Sequence, residues 1–140
     1  MASNNEEWLA AKAKEEGVIV LDSGLMYKVL QEGPAGGQSP TASTPCSCHY
    51  HGTLTNGTVF DSSVNRGEPT TFAPNQVIKA WTEAMQLMKQ GDKWELYCKP
   101  ELAYGSRSPS PKIPPNSILI FTIEIVQCPA GGGGGGCAIL

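Results

Sequence analysis

Strict alternation of apolar and polar side chains recurs in well-separated stretches of this chain, and it narrows the possible folds more than any other feature. In Ser117–Cys128, Leu119, Phe121, Ile123 and Ile125 fall on one face while Thr122 and Glu124 fall on the other. In Cys46–Leu54, Cys46, Cys48 and Tyr50 share a face, and His49 and His51 take the opposite one. Trp94, Leu96 and Cys98 alternate in the same way with charged or polar neighbours. Successive side chains of a strand point to opposite sides of a sheet, so a period of two marks half-buried strands. Such alternation belongs to antiparallel sheet with one solvated face.

The intervening segments complete the pattern. Val18–Leu21 and Leu25–Leu30 read as short strands joined by an Asp22-Ser23-Gly24 turn. Thr55-Asn56-Gly57 carries the Asn-Gly hairpin signal and returns the chain as a strand over Thr58–Ser62. One mid-chain stretch, Gln76–Met88, has helical spacing. There Val77, Trp81, Met85 and Met88 fall near one face, and Gly91 lies just past the end. Residues 33–45 and 101–116 are rich in Gly, Pro, Ser and Thr or in Pro, and read as loops. Residues 4–16 read as a helix with Asn4 or Asn5 as cap and Gly17 as stop, too short to persist without docking. A sheet with one wet face and one amphipathic helix to cover the other make a two-layer α+β domain. The expected organisation is an N-terminal helical extension over 1–17, a domain over 18–128, and a Gly-rich tail over 129–140.

Bulk properties exclude several classes. The 140 residues, 40% hydrophobic, suit one domain with a real core. A net charge of -3 without a basic stripe argues against nucleic acid as a partner. No apolar run approaches the ~18 residues of a transmembrane helix. Met1–Glu7 lacks a secretory apolar core, and Ala2 excludes N-myristoylation. Five cysteines without a secretory signal read as reduced thiols of a cytoplasmic protein. Cys46-x-Cys48-His49-x-His51 does not fit the common zinc spacings, and alternation places its thiols and imidazoles on opposite faces, so no metal is expected. The histidines are expected to face solvent. Ser62 and Ser63 lack a nucleophile-elbow context. The chain ends Gly131–Gly136 and then Cys137-Ala138-Ile139-Leu140, a C-a-a-X pattern whose final Leu favours geranylgeranylation of Cys137. One prenyl chain without a polybasic patch would anchor the protein weakly and reversibly at a membrane.

Two aromatic-rich segments suggest where chemistry resides. Tyr50-His51-Gly52 leads to Val59-Phe60-Asp61-Ser62-Ser63, and Leu102-Ala103-Tyr104-Gly105 leads to Ile113-Pro114-Pro115-Asn116. Val77-Ile78-Lys79-Ala80-Trp81 lies between them. Singly, Phe60, Trp81 and Phe121 read as core aromatics. With Asp61 and the Tyr104 loop they describe a small apolar pocket with an acid at its edge.

Over about residues 23–128 these motifs resemble the FK506-binding-protein (FKBP) family of peptidyl-prolyl isomerases. Leu21–Tyr27 and Lys79–Met88 are most similar to its macrophage-infectivity-potentiator-like branch. The resemblance implies an antiparallel sheet of five or six strands curled around one short helix, and a cofactor-free isomerase of X-Pro bonds in peptides and proteins that also binds FK506- and rapamycin-type macrolides. It implies catalytic roles for Tyr50, Asp61, Trp81, Tyr104 and Phe121, with Trp81 as the pocket floor. Phe60, Arg66, Phe72, Gln76, Val77, Ile78 and Ile113 would contact substrate. Ile78 would offer its N–H to a ligand carbonyl, and Arg66 would pair with Asp61. Thr70, Pro109, Pro111 and Lys112 depart from the family pattern at the rim and are expected to shift substrate preference. A binding or chaperone module of the same fold, anchored through Cys137, is the alternative. No long coiled-coil helix precedes the domain, so a monomer is expected.

Overall fold

The computed structural model describes residues 2–34, 39–107 and 111–127, with the side chains of residues 2–4, 65, 66 and 76 outside that description. Cys128, the glycine run, Cys137 and Pro109 therefore lie outside the described residues, as do the side-chain roles expected of Arg66 and Gln76. In chain order the elements are α1 (Ala2–Ala13), β1 (Val18–Val20), β2 (Met26–Gln31), β3 (Cys46–Leu54), β4 (Val59–Ser62), α2 (Ser63–Arg66), β5 (Thr70–Phe72), α3 (Lys79–Leu87), β6 (Lys93–Cys98) and β7 (Leu119–Gln127). Short 3-10 turns occupy Pro74–Gln76 and Pro100–Leu102.

All strands join one antiparallel sheet in the order β1-β2-β6-β7-β3-β4, with β5 also paired to β3. The expected α+β fold is present with one strand more than expected. β5 is three residues long between Pro69 and Pro74, too short to show a period. It pairs with Cys46–Cys48 at the start of β3, and β4 pairs with His51–Thr53 at its end, so the two short strands share one edge.

The period of two places the core on the inner face. β7 alternates buried and half-buried residues from Leu119 to Ile125, and β3 does so from Cys46 to Gly52. Against this face α3 lays Ala80, Trp81, Ala84 and Met85, all fully buried, followed by Met88. The helix begins at Lys79, not Gln76 as expected. Ile78 is extended (ψ 159°), and the Thr82 hydroxyl donates to Pro74 O at 2.5 Å, which turns the chain off the helix axis before that point. The first intrahelical bond runs from Thr82 N–H to Ile78 O (3.0 Å), so the helical ladder does not consume the Ile78 N–H.

A buried acid ties the end of α3 to the distant residue-33 loop. Asp92 is 5% exposed; it accepts from Gly33 N–H at 2.7 Å and Lys89 N–H at 3.1 Å, and pairs with the Lys89 ammonium at 3.2 Å. On the outer face, α1 docks rather than standing free. Its Trp8 ring lies 6.1 Å from that of Tyr97, and the Lys12 ammonium sits over both rings at 5.1 and 4.8 Å.

Candidate active site

The inner face carries an aromatic cage closed by the register of three strands. Gly52 of β3 and Leu96 of β6 flank Phe121 of β7 on either side. A Cβ at Gly52 would lie 2.6 Å from Phe60 and 2.8 Å from Phe121, so the absence of a side chain there lets those two rings meet. They meet edge-on, centroids 5.4 Å apart at 89°. Trp81 of α3 underlies them: Phe121 stands 4.9 Å away at 84°, Tyr50 5.3 Å at 69°, and Phe72 5.0 Å at 42°. Edge-to-face packing sets the positive ring edge of one aromatic against the negative face of another. It also keeps the walls rigid, because each ring is wedged by a neighbour.

Polar groups stand at the mouth of this cage. The Tyr50 hydroxyl donates to Asp61 Oδ2 at 2.8 Å. Tyr104 is half-buried on the loop after the second 3-10 turn. Its phenol pKa is pushed up to about 12, first by burial, then by the charge on Asp61 and that on an ionised Tyr50. The phenol therefore stays protonated and able to donate, and it feels the charge of the same carboxylate that Tyr50 holds. Ile113 and Ile78 are buried, and Val77 is half-buried against the same core cluster. Of the expected site residues, Tyr50, Phe60, Phe72, Val77, Ile78, Trp81, Tyr104, Ile113 and Phe121 belong to or pack against one hydrophobic cluster, and Asp61 is bonded to it through Tyr50.

Two features were not expected. The Trp81 indole N–H is buried without a hydrogen-bond partner among the described residues, which leaves a donor beneath the cage. Ser63, fully buried, accepts from Tyr50 N–H at 2.8 Å and donates to Tyr50 O at 3.3 Å. Its hydroxyl thus replaces a ladder partner where β4 gives way to α2, and fixes the strand that carries Tyr50. The only sequence signal was the Ser-Ser pair after Asp61.

The histidines lie opposite the thiols, as alternation requires, but they are half-buried and bonded rather than simply solvated. His49 Nδ1 contacts Ser63 Oγ and His51 Nδ1 contacts Ser62 Oγ, each at 2.9 Å. They line an outer-face cavity of about 370 Å³ with Val64, Lys93, Thr122 and Glu124. Among the described residues no group of three or more His, Cys, Asp or Glu could hold a metal ion. Burial raises the Cys98 thiol well above its usual range, which makes it a core group, not a nucleophile.

Comparison with known proteins gives this geometry a family. The profile described as FKBP-type peptidyl-prolyl cis-trans isomerase matches residues 36–126, and that described as the domain amino terminal to FKBP-type peptidyl-prolyl isomerase matches residues 1–29. The macrophage infectivity potentiator of Trypanosoma cruzi is 45% identical over 127 residues, covering 91% of this chain and 64% of that protein. The crystal structure of FkpA from Escherichia coli superposes with a TM-score of 0.85 at 39% identity, over 94% of this chain and 60% of that one. A peptidyl-prolyl cis-trans isomerase structure from Pseudomonas syringae gives 0.83 at 30% identity, over 91% and 92% of the two chains. The chain spans 64%, 47% and 54% of the length of three of the curated relatives it matches. With its caged Trp81, its Tyr50–Asp61 pair and its profile match over most of the domain, the chain belongs to the FKBP-type peptidyl-prolyl cis-trans isomerase family, in the macrophage-infectivity-potentiator branch.

Proposed function

We propose that this chain accelerates cis-trans rotation about X-Pro bonds in peptides and proteins. The observation that carries this reading is the Tyr50–Asp61 hydrogen bond at the mouth of a closed aromatic cage. Rotation must break amide resonance against a barrier of about 18–20 kcal/mol. The planar amide has a polarised carbonyl; the twisted amide has less C–N double-bond character and a less polar carbonyl. An apolar enclosure therefore disfavours the planar form relative to the twisted one, which is differential binding of the transition state. The proline ring would rest over Trp81 between Phe60, Phe121 and Tyr50, leaving the preceding carbonyl free to turn. Ile78 N–H and the protonated Tyr104 phenol are donors at the rim for flanking carbonyls. No covalent step is required. Macrolides of the FK506 and rapamycin type would occupy the same cage and compete with peptide.

A protease-coupled or NMR exchange assay on an X-Pro peptide tests this. The wild-type chain should exceed the uncatalysed rate, Asp61→Ala should be slower at unchanged circular dichroism, and a macrolide should inhibit. A wild-type rate equal to background, with peptide still bound, would replace the enzyme by a binding module of the same fold.

A further inference from the structure

The N-terminal helix reaches the pocket rim through one short chain of hydrogen bonds. Among the described residues Asn116 is the only non-glycine with positive φ (60°). Left-handed backbone is uncommon for a residue with a Cβ and persists where surrounding contacts hold it. Both backbone polar groups of Asn116 are held. Its N–H donates to Gly105 O at 2.8 Å, beside Tyr104, and its carbonyl accepts from the Asn5 side chain of α1 at 2.9 Å. Gly105 in turn donates to Pro100 O at 2.7 Å, and Ser117 Oγ donates to Pro114 O at 2.5 Å. The loop that presents Tyr104 and Ile113 is thus closed on itself at Asn116, and α1 grips that closure point from outside. The helix has its own seat on the sheet through Trp8 and Lys12 against Tyr97, so Asn5 is presented by a docked element. α1 lies in the segment matched by the amino-terminal profile, and the loop lies in the isomerase segment.

We propose that Asn5 is a positioning residue, through which the N-terminal helix sets the shape of the substrate rim at Tyr104 and Ile113. This rests on the isomerase reading above. The rim contacts peptide in planar and twisted forms alike, so loosening it removes uniform binding: KM rises and kcat holds. An exposed neutral hydrogen bond of ordinary strength corresponds to about two- to tenfold in binding.

The test is Asn5→Asp and Asn5→Ala in the full chain. Asp keeps the shape, removes the donor, and lies in the first helical turn where a carboxylate favours the helix, so α1 is not weakened. Ala is a strong helix former. The measurements are kcat and KM on an X-Pro peptide, and amide exchange at Gly105 and Asn116 by NMR. Both variants should raise KM about two- to tenfold, change kcat less than about twofold, and speed exchange at the two amides. Unchanged KM together with unchanged exchange overturns the proposal. If the wild type is inactive, the isomerase reading falls separately, and exchange alone decides whether Asn5 holds the loop: unaltered exchange in Asn5→Asp rejects it.

Discussion

Gly52 offers a sharp test of how the cage is built. Its φ is not positive, so alanine meets no backbone penalty there, and Gly→Ala at a compatible site stabilises by about 0.4–1 kcal/mol through the unfolded state. The opposing effect is steric. The added methyl would lie 2.6 and 2.9 Å from Phe60 and 2.8 Å from Phe121, closer than carbon atoms tolerate. Phe121 cannot retreat, because it is fully buried with the Trp81 indole 4.9 Å behind it. Phe60, 9% exposed, has the freer path, toward the mouth of the pocket. Overpacking of this kind costs about 1–3 kcal/mol. The clash outweighs the entropic gain, and Gly52→Ala should lose about 1–2 kcal/mol net. For a domain of this size that lowers Tm by roughly 4–8 °C. Urea unfolding followed by tryptophan fluorescence reads the loss, and the isomerase assay reads the narrowed mouth as a raised KM. Gly52→Ala as stable and as active as wild type would refute the claim that the missing side chain makes room for the ring pair.

Two further outcomes follow from the site and its support. The Tyr104 pKa is raised from 10.0 to about 12 in the folded state, so the stability linked to its protonated form is fully present below about pH 10 and lost as pH rises toward 12. Tyrosinate absorbance of wild type minus Tyr104→Phe should show no titration near pH 10, and a midpoint there would contradict the packing described. Asp92→Ala leaves two backbone N–H donors and the Lys89 ammonium short of an acceptor, although Glu32 stays 3.6 Å from that ammonium. The expected cost is about 2–3 kcal/mol by urea denaturation, with KM little changed because Asp92 lies outside the cage.

Much of this architecture was legible in the residues because it rests on period. Burial on a half-wet sheet follows every second residue, so the inner faces of β3, β6 and β7 could be read directly. The helical face of Trp81 and Met85 was equally plain, since packing needs a 3.6-residue stripe. Elements without room for a period were not legible. β5 has three residues, and the late start of the expected helix, at Lys79, goes with a Thr82–Pro74 bond that no propensity encodes. Ser63 stood out in the sequence only as a serine without a nucleophile context, yet its hydroxyl substitutes for a strand at Tyr50. Asp92 carried no sequence signal, since its partner Gly33 is 59 residues away.

The sequence by itself therefore determined the alternating faces, the hairpin and the residue types of an aromatic pocket, because these follow from local geometry and side-chain chemistry. Only the tertiary structure decided that Gly52 opposes Phe121, that Tyr50 reaches Asp61, and that Asn5 of the first helix holds Asn116 at the rim. Those pairings depend on register and on docking across as many as 111 residues of chain, where a hydrogen bond senses ångströms and a sequence pattern senses only which face a residue occupies.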